Sequence, residues 1–194
     1  NDLGIVYGKN YYGGFTSYNT NTGEIFNSPD LGVKSLVVDD LGMVYSSITG
    51  GSFISYDTNS GTIFNSPDLG FVSTDTSIAV NDLGIVYGKN YYGGFTSYNT
   101  NTGEIFNSPD LGIRGLAVDS SNNKVFTVNN YGGIRSYDPS TGVIFDSADL
   151  GLNTISPSIA VFDVRSVPAP STLWLFSIGL FFLIRVSKHY KNRP

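Results

Sequence analysis

Short apolar segments separated by turn-forming residues recur along the first 164 residues of the chain. The segments are rich in Val, Ile, Tyr and Phe, which favour β-strands. Gly, Asn, Asp and Ser cluster between them, where tight turns are expected. Long runs of Ala, Leu, Glu and Lys, which would indicate helices, do not interrupt this pattern. The pattern therefore predicts an all-β fold.

The strand pattern repeats along the chain. Residues 1–32 are identical to residues 81–112, and looser copies occupy residues 39–70 and 119–151. A Ser-Tyr pair followed by Asn or Asp marks each copy, at spacings of 38, 42 and 39 residues, beginning at Ser17, Ser55, Ser97 and Ser136. A period near 40 residues predicts a repeat architecture.

Each copy contains four predicted strands. The first is an apolar triplet such as Leu116–Val118, and the second is the equivalent of Ile85–Tyr87. The third follows a Gly-Gly or Gly-Ser pair and ends at the marker tyrosine, and the fourth is the equivalent of Glu24–Phe26. Turns that begin with Asn or Asp and end with Gly join the last two strands into a hairpin. Four antiparallel strands in about 40 residues are typical of a β-propeller blade, and another stacked β-repeat is the alternative.

The connections between copies alternate in length, which indicates a duplication unit of two blades, or 80 residues. Gly32 to Leu36 is short and Gly70 to Ile78 is long, and the same alternation follows in the second half. The repeats begin at the second strand of a blade and end with an extra first strand, Ser158 to Val164. That strand either closes a four-bladed ring or ends a longer one. We expect residues 1–164 to be a fragment of a longer ring with an even blade number, since no signal peptide precedes them.

A different composition begins after the repeats. Residues 165–170 form a linker that contains Val167, Pro168, Ala169 and Pro170, and the two prolines prevent a helix before Ser171. Residues 171–186 are predicted to be a transmembrane helix, and residues 187–194 a basic cytoplasmic tail. The helix is short, about 24 Å at 1.5 Å per residue, against roughly 30 Å of hydrocarbon. Its uncharged stretch runs from Leu173 to Ile184. Trp174, Arg185 and Lys188 are expected at the membrane interfaces, where they anchor the helix.

Charge is divided between these two parts. All 16 acidic residues but only seven of the 11 basic residues precede Val167, so this part carries a net charge of −9. The remaining four basic residues lie at the end of the predicted helix and after it, which predicts a cytoplasmic C-terminus and a β domain outside the cytoplasm. An acidic domain without a basic patch does not favour nucleic acid as a partner.

The Val-Pro-x-Pro motif, the short apolar helix and the terminal basic cluster together resemble the PEP-CTERM sorting signal of Gram-negative bacteria. The family usually has Glu at the third motif position, where this chain has Ala169. The resemblance covers residues 167–194 and implies that an exosortase, a membrane-embedded transpeptidase-like enzyme, processes the tail. It also implies an inner-membrane anchor, later release to the cell surface or matrix, and an association with exopolysaccharide or biofilm. A plain C-terminal tail anchor is the alternative.

Catalytic residue types are scarce in the repeats. The chain has no cysteine, and its one histidine, His189, follows the predicted membrane helix, which excludes Ser/His/Asp catalysis and His-ligated zinc within the repeats. Glu24 and Glu104 occupy equivalent strand positions and are expected to face solvent. Four aspartates recur in an Asp-Leu-Gly motif, where they either cap turns or form a cation-binding ring; they are Asp30, Asp68, Asp110 and Asp149. We expect turn caps, and neither a metal nor another cofactor.

Tyrosines cluster between the second and third strands of three copies, at Tyr11, Tyr12, Tyr91, Tyr92 and Tyr131. In loops they stack on sugars or anchor a protein partner; alternatively they pack against the next blade. We therefore expect a non-catalytic binding or structural module at the bacterial envelope, in contact with membrane lipid, exosortase and either exopolysaccharide or an envelope protein. The alternative is a propeller hydrolase or lyase whose active centre lies in blades outside this sequence.

Overall fold

The computed structural model describes residues 4–72, 78–120, 123–152, 159 and 161. Within these ranges the chain forms only β-strands and turns. The strands are β1 Ile5–Lys9, β2 Phe15–Asn19, β3 Ile25–Asn27, β4 Val37–Val38, β5 Met43–Ser47, β6 Phe53–Asp57, β7 Ile63–Asn65, β8 Ile78–Val80, β9 Ile85–Lys89, β10 Phe95–Asn99, β11 Ile105–Asn107, β12 Leu116–Asp119, β13 Lys124–Val128, β14 Ile134–Tyr137 and β15 Ile144–Asp146.

Consecutive strands pair antiparallel into four sheets. Sheet 1 contains β1–β3, sheet 2 contains β4–β7, sheet 3 contains β8–β11 and sheet 4 contains β12–β15. The predicted all-β fold and the predicted four strands per copy are therefore confirmed for sheets 2 to 4. Among the described residues sheet 1 has three strands, which correspond to the second, third and fourth strands of a copy. The extra strand predicted at residues 158–164 lies outside the described residues, apart from Ile159 and Val161.

The hairpin turns form as their sequences predict. In sheet 1 the Asn19 side chain accepts a hydrogen bond from the Asn21 backbone N–H at 2.9 Å, and Gly23 ends the turn at a φ of 76°. In sheet 2 Asp57 takes the same role toward Asn59 at 2.8 Å. A hydrogen bond from the Ser60 hydroxyl, together with this backbone bond, lowers the pKa of the Asp57 carboxyl.

The Asp-Leu-Gly motifs lie at the opposite end of each sheet, and their aspartates cap turns. Asp30 Oδ1 accepts a hydrogen bond from the Gly32 N–H at 3.1 Å, and the other three aspartates make the same bond at 2.9, 2.9 and 2.8 Å. The following residue then returns to the sheet, where the Val33 N–H donates to the Gly13 carbonyl at 2.7 Å. The turn-cap interpretation is therefore confirmed.

One aromatic contact joins each sheet to the next. The phenylalanine that begins the third strand lies edge-on against the tyrosine near the end of the third strand in the following sheet. Ring centroids are 5.5, 5.6 and 5.7 Å apart in the pairs Phe15–Tyr56, Phe53–Tyr98 and Phe95–Tyr137. All three phenylalanines are fully buried. Each pair lies in one of the three hydrophobic clusters that hold the sheets together.

Two kinds of junction alternate between the sheets. Between sheets 2 and 3 the long connection places the buried ring of Phe71 against Gly88, where a Cβ atom would lie 2.6 Å from three ring atoms. In the short connections a backbone N–H meets a hydroxyl instead: Lys34 donates to Ser46 Oγ at 3.2 Å, and Arg114 donates to Thr127 Oγ1 at 3.3 Å. This difference gives a physical reason for the two-blade duplication unit.

The substitution Gly88→Ala is expected to destabilise the protein by about 1–3 kcal/mol, because the added methyl group overlaps the Phe71 ring in a packed junction. The backbone φ of Gly88 is not in the left-handed region, so steric overlap is the only cost. Urea unfolding measures the loss. In a Phe71→Leu background the same substitution should cost less, since the smaller side chain leaves room; an unchanged cost in that background would contradict the contact.

Candidate functional site

The predicted tyrosines lie in the loops that join the second and third strands, and they are exposed. Tyr11 is 97% exposed and Tyr12 79%; Tyr91, Tyr92 and Tyr131 are 67%, 84% and 80% exposed. The alternative in which they pack against the next sheet is therefore wrong for all five. A tyrosine ring combines an apolar face with a hydroxyl group, so exposed rings grouped at one end of the sheets are candidates for contact with a partner.

An asparagine at the start of each of these loops holds its shape. Asn90 is buried, and its Oδ1 accepts hydrogen bonds from the N–H groups of Tyr92 and Gly94 at 3.0 and 3.1 Å. Asn10 makes the same two bonds at 3.0 and 2.9 Å, and Asn129 makes them at 3.0 and 3.0 Å. The structural equivalent in sheet 4 is thus Asn129, although Asn130 is the residue that directly precedes Tyr131.

Two glycines complete each loop. Gly93 adopts a φ of 82°, which favours glycine over any residue with a side chain. The next glycine, Gly94, lies so close to the Pro109 carbonyl and the Ser108 hydroxyl that a Cβ atom does not fit. The Ser108 hydroxyl also accepts a hydrogen bond from the Phe95 N–H at 2.8 Å. The loop backbone is therefore fixed on both sides, while the tyrosine rings extend into solvent.

The loops that join the second and third strands differ among the four sheets in the number of tyrosines they carry. Tyr12, Tyr92 and Tyr131 share one position, and Tyr11 and Tyr91 share the position before it. In sheet 1 the two rings meet edge-on, with centroids 5.8 Å apart. In sheet 4 the preceding position is Asn130, whose Oδ1 accepts a hydrogen bond from Arg114 Nε at 2.8 Å. Sheet 2 carries Ile48-Thr49-Gly50-Gly51-Ser52 at this point and has no loop tyrosine.

Strand direction places all of these loops at the same end of their sheets, because each joins the second strand to the third of an antiparallel sheet. The Asp-Leu-Gly turns lie at this end as well. Their aspartates are engaged with the backbone, and no group of three or more His, Cys, Asp or Glu within the described ranges is arranged to hold a metal ion. The chemistry offered at this end is that of aromatic rings and phenol hydroxyls.

A cleft of about 870 Å³ opens at the other end, between sheets 2 and 3. Asp39, Asp57 and Asp82 line it together with Tyr45. The Tyr45 hydroxyl donates to Asp39 Oδ2 at 3.2 Å; burial, with the nearby Asp39 charge and this hydrogen bond, raises the pKa of Tyr45 well above its usual value. Tyr45 thus holds the Asp39 side chain at the edge of the cleft through this hydrogen bond.

A second tyrosine joins sheets 3 and 4 at the same end. The Tyr87 hydroxyl and the Asn81 side chain both donate to Asn123 Oδ1, the latter at 3.1 Å. Asn123 adopts a φ of 52°, which asparagine tolerates better than most residues. Burial raises the pKa of Tyr87 to about 12. Sequence reasoning did not single out this group, because its members lie 36 and 42 residues apart in the chain.

The remaining predicted residues divide into two groups. Glu24 and Glu104 are exposed, as predicted. The sorting motif at residues 167–170 and the anchor residues at 173–188 lie outside the described residues. Among the residues that the structure describes, no helix is long and apolar enough to span a membrane.

Comparisons with known proteins support the fold. No protein-family model matches the sequence, and no curated protein matches it. Solved structures do match: a chain in the crystal structure of a mitotic checkpoint complex aligns with 76% of this chain at a TM-score of 0.63 and 14% identity. Selenomethionine-substituted virginiamycin B lyase from Staphylococcus aureus aligns with 75% at 0.57 and 17% identity, and the computationally designed protein Ika8 aligns with 82% at 0.59 and 19% identity.

These neighbours are β-propeller-like proteins, and the similarity at this level of identity shows the fold alone. The alignments cover 49%, 52% and 50% of the neighbours' chains, so this chain spans about half the length of each. The described sheets of this protein are therefore arranged in a propeller-like fold.

Proposed function

We propose that the β repeats form a non-catalytic propeller module that binds polysaccharide through its loop tyrosines at the bacterial envelope. The observation that carries this proposal is the exposure of five tyrosines on three equivalent loops at one end of the sheets. A tyrosine ring offers a large, amphipathic contact area and loses little conformational entropy on binding. Loops already fixed by Asn and Gly add little further ordering cost.

The charge of the module favours an uncharged polymer as the ligand. Residues before Val167 carry a net charge of −9, so an anionic polysaccharide would be repelled at low salt. A neutral sugar ring presents C–H groups that stack on an aromatic face and hydroxyls that bond to the phenol oxygen. The repeated loops would then contact successive sugars of one chain, which multiplies a weak individual contact.

The tail supports the location in this proposal. Val167–Pro170, the apolar segment and the basic end are the parts of an exosortase-sorted signal, in that order. In this proposal lipid and exosortase are the partners of the tail, and the module reaches the cell surface or the matrix after processing. Because the repeats contain no Cys and no His, we assign them a binding role rather than catalysis.

The triple variant Tyr12→Ala/Tyr92→Ala/Tyr131→Ala is expected to weaken binding to a neutral polysaccharide at least about tenfold, because it removes one stacking ring from each loop. Affinity electrophoresis in gels containing dextran, a β-glucan or a galactomannan measures the change, with alginate as the anionic comparison. The matched variant with phenylalanine at all three positions should keep most of the affinity.

Leu41→Ala/Leu83→Ala serves as the second control, since both leucines are exposed, at 83% and 60%, in turns at the opposite end of the sheets. It should migrate like the unaltered protein. Failure of all three neutral polymers to retard the protein, or equal retardation of the alanine triple variant, would contradict the binding proposal without bearing on the fold.

Deleting Val167–Pro170 is expected to keep the chain in the inner membrane of an exosortase-containing host, because the recognition motif is lost while the apolar segment remains. Fractionation and immunoblotting of membrane and released protein measure this. The variant Ala169→Glu, which restores the family's usual residue, is the matched control and should be released. Release of the deletion variant at the unaltered rate would count against sorting, and retention of all three proteins would indicate a plain anchor.

A further inference from the structure

The two outer faces of the row of sheets correspond to the two sides of the junction between sheets 2 and 3. They differ from it at two places: sheet 4 has Ile134 at the position of Phe53, and sheet 1 has no described strand at the position of β8. The three strands of sheet 1 are identical in sequence to β9–β11 of sheet 3, yet the face that sheet 3 turns toward sheet 2 is buried and the same face of sheet 1 is open. Val86 is fully buried and Tyr98 is 9% exposed, whereas the equivalent Val6 and Tyr18 are 60% and 45% exposed. Among the described residues, none covers this face of sheet 1, which we call the acceptor face.

Sheet 4 presents the complementary donor face. Within the chain, Phe64 of sheet 2 stacks on Tyr98 of sheet 3 at 6.2 Å. The equivalent residue of sheet 4 is Phe145, which pairs with Ser136 as Phe64 pairs with Ser55 and is 65% exposed. Leu150 is likewise 54% exposed.

The long connection after sheet 4 provides the most specific match. Phe71, in the long connection after sheet 2, lies against Gly88 of sheet 3. Its equivalent after sheet 4 is Leu152, which donates its N–H to Gly132 as Phe71 does to Gly51 and is 38% exposed. Its acceptor would be Gly8, the equivalent of Gly88, and a Cβ atom at Gly8 would meet no atom within 4 Å. A projecting side chain and a matching gap are thus present on one chain, at its opposite faces.

We propose that two copies of this chain associate head to tail, sheet 4 of each on sheet 1 of the other, into a closed pair. The junction between sheets 2 and 3 is the template for both contacts. Two copies place eight sheets in the assembly, and one copy spans about half the length of each matched propeller-like chain. A head-to-tail contact between identical chains closes into a ring when the rotation per copy permits it. The positions that test association, Tyr18 and Phe145, lie in strands or their hairpins and not in the tyrosine loops, so variants at these positions test association separately from polysaccharide binding.

The test uses the full 194-residue chain in density-matched detergent, studied by sedimentation equilibrium. The unaltered protein should have twice its chain mass of 20.9 kDa. Tyr18→Glu alters the acceptor face and Phe145→Glu the donor face, and both residues are exposed in the single chain, so folding is retained. Each variant alone should raise the dissociation constant at least about tenfold. Tyr18→Glu places a charge at a position that is 9% exposed in the template junction, and Phe145→Glu removes the ring equivalent to the one that stacks on Tyr98. Leu83→Glu, in an exposed turn, is the control and should remain paired.

An equimolar mixture of Tyr18→Glu and Phe145→Glu should again associate into pairs, more weakly than the unaltered protein. One junction then joins an unaltered acceptor face to an unaltered donor face, and the other carries both glutamates. A double variant carrying both changes should not form pairs. A protein that stays monomeric throughout would overturn the proposal and would leave further blades of a longer polypeptide as the occupant. Pairing that only one of the two variants abolishes would indicate face-to-face association instead, and a mass that grows beyond two copies would exclude the closed pair.

Discussion

The contact between a phenylalanine of one sheet and a tyrosine of the next is the interaction on which the rest of the structure depends. A single three- or four-stranded sheet of this size does not bury both of its faces. The phenylalanine begins the third strand and the tyrosine ends it, so one strand provides both partners of successive contacts. Phe53, for example, lies between Tyr45 of its own sheet and Tyr98 of the next. The repeat is therefore stabilised by neighbours rather than by its own interior.

Tyrosine has two roles in this protein, and its position in a strand or in a loop decides between them. Tyrosines within strands are drawn into the junctions because side chains alternate between the two faces of a sheet, and both faces are covered in sheets 2 and 3. Tyrosines in the loops lie beyond the last strand pair, where no neighbouring sheet reaches them. The buried asparagine and the two glycines fix the loop backbone, so the tyrosine rings are held in exposed positions. This fixed exposure supports a role in recognition.

Local sequence was enough to predict the strands, the turns and the capping aspartates, because each depends on residues a few positions apart. It was not enough to predict burial. Residues 1–32 and 81–112 are identical, yet Val6 is 60% exposed and Val86 is fully buried. Only the presence or absence of a preceding sheet distinguishes them. The bond between Tyr87 and Asn123 escaped prediction because it joins residues 36 positions apart on two different sheets. The role of Asn129 in its loop likewise became visible only from the loop geometry.

The alternation of junctions restricts any closed assembly of these sheets to an even number. A sheet that follows a long connection needs glycine at the position of Gly88, since an aromatic ring occupies the space of a side chain there. A sheet that follows a short connection has a hydroxyl at that position, as Ser46 and Thr127 do, to accept a backbone N–H. An odd ring would bring together two sheets of one kind. It would either force a large side chain onto the hydroxyl or leave a void over the glycine, and packed protein interiors disfavour both.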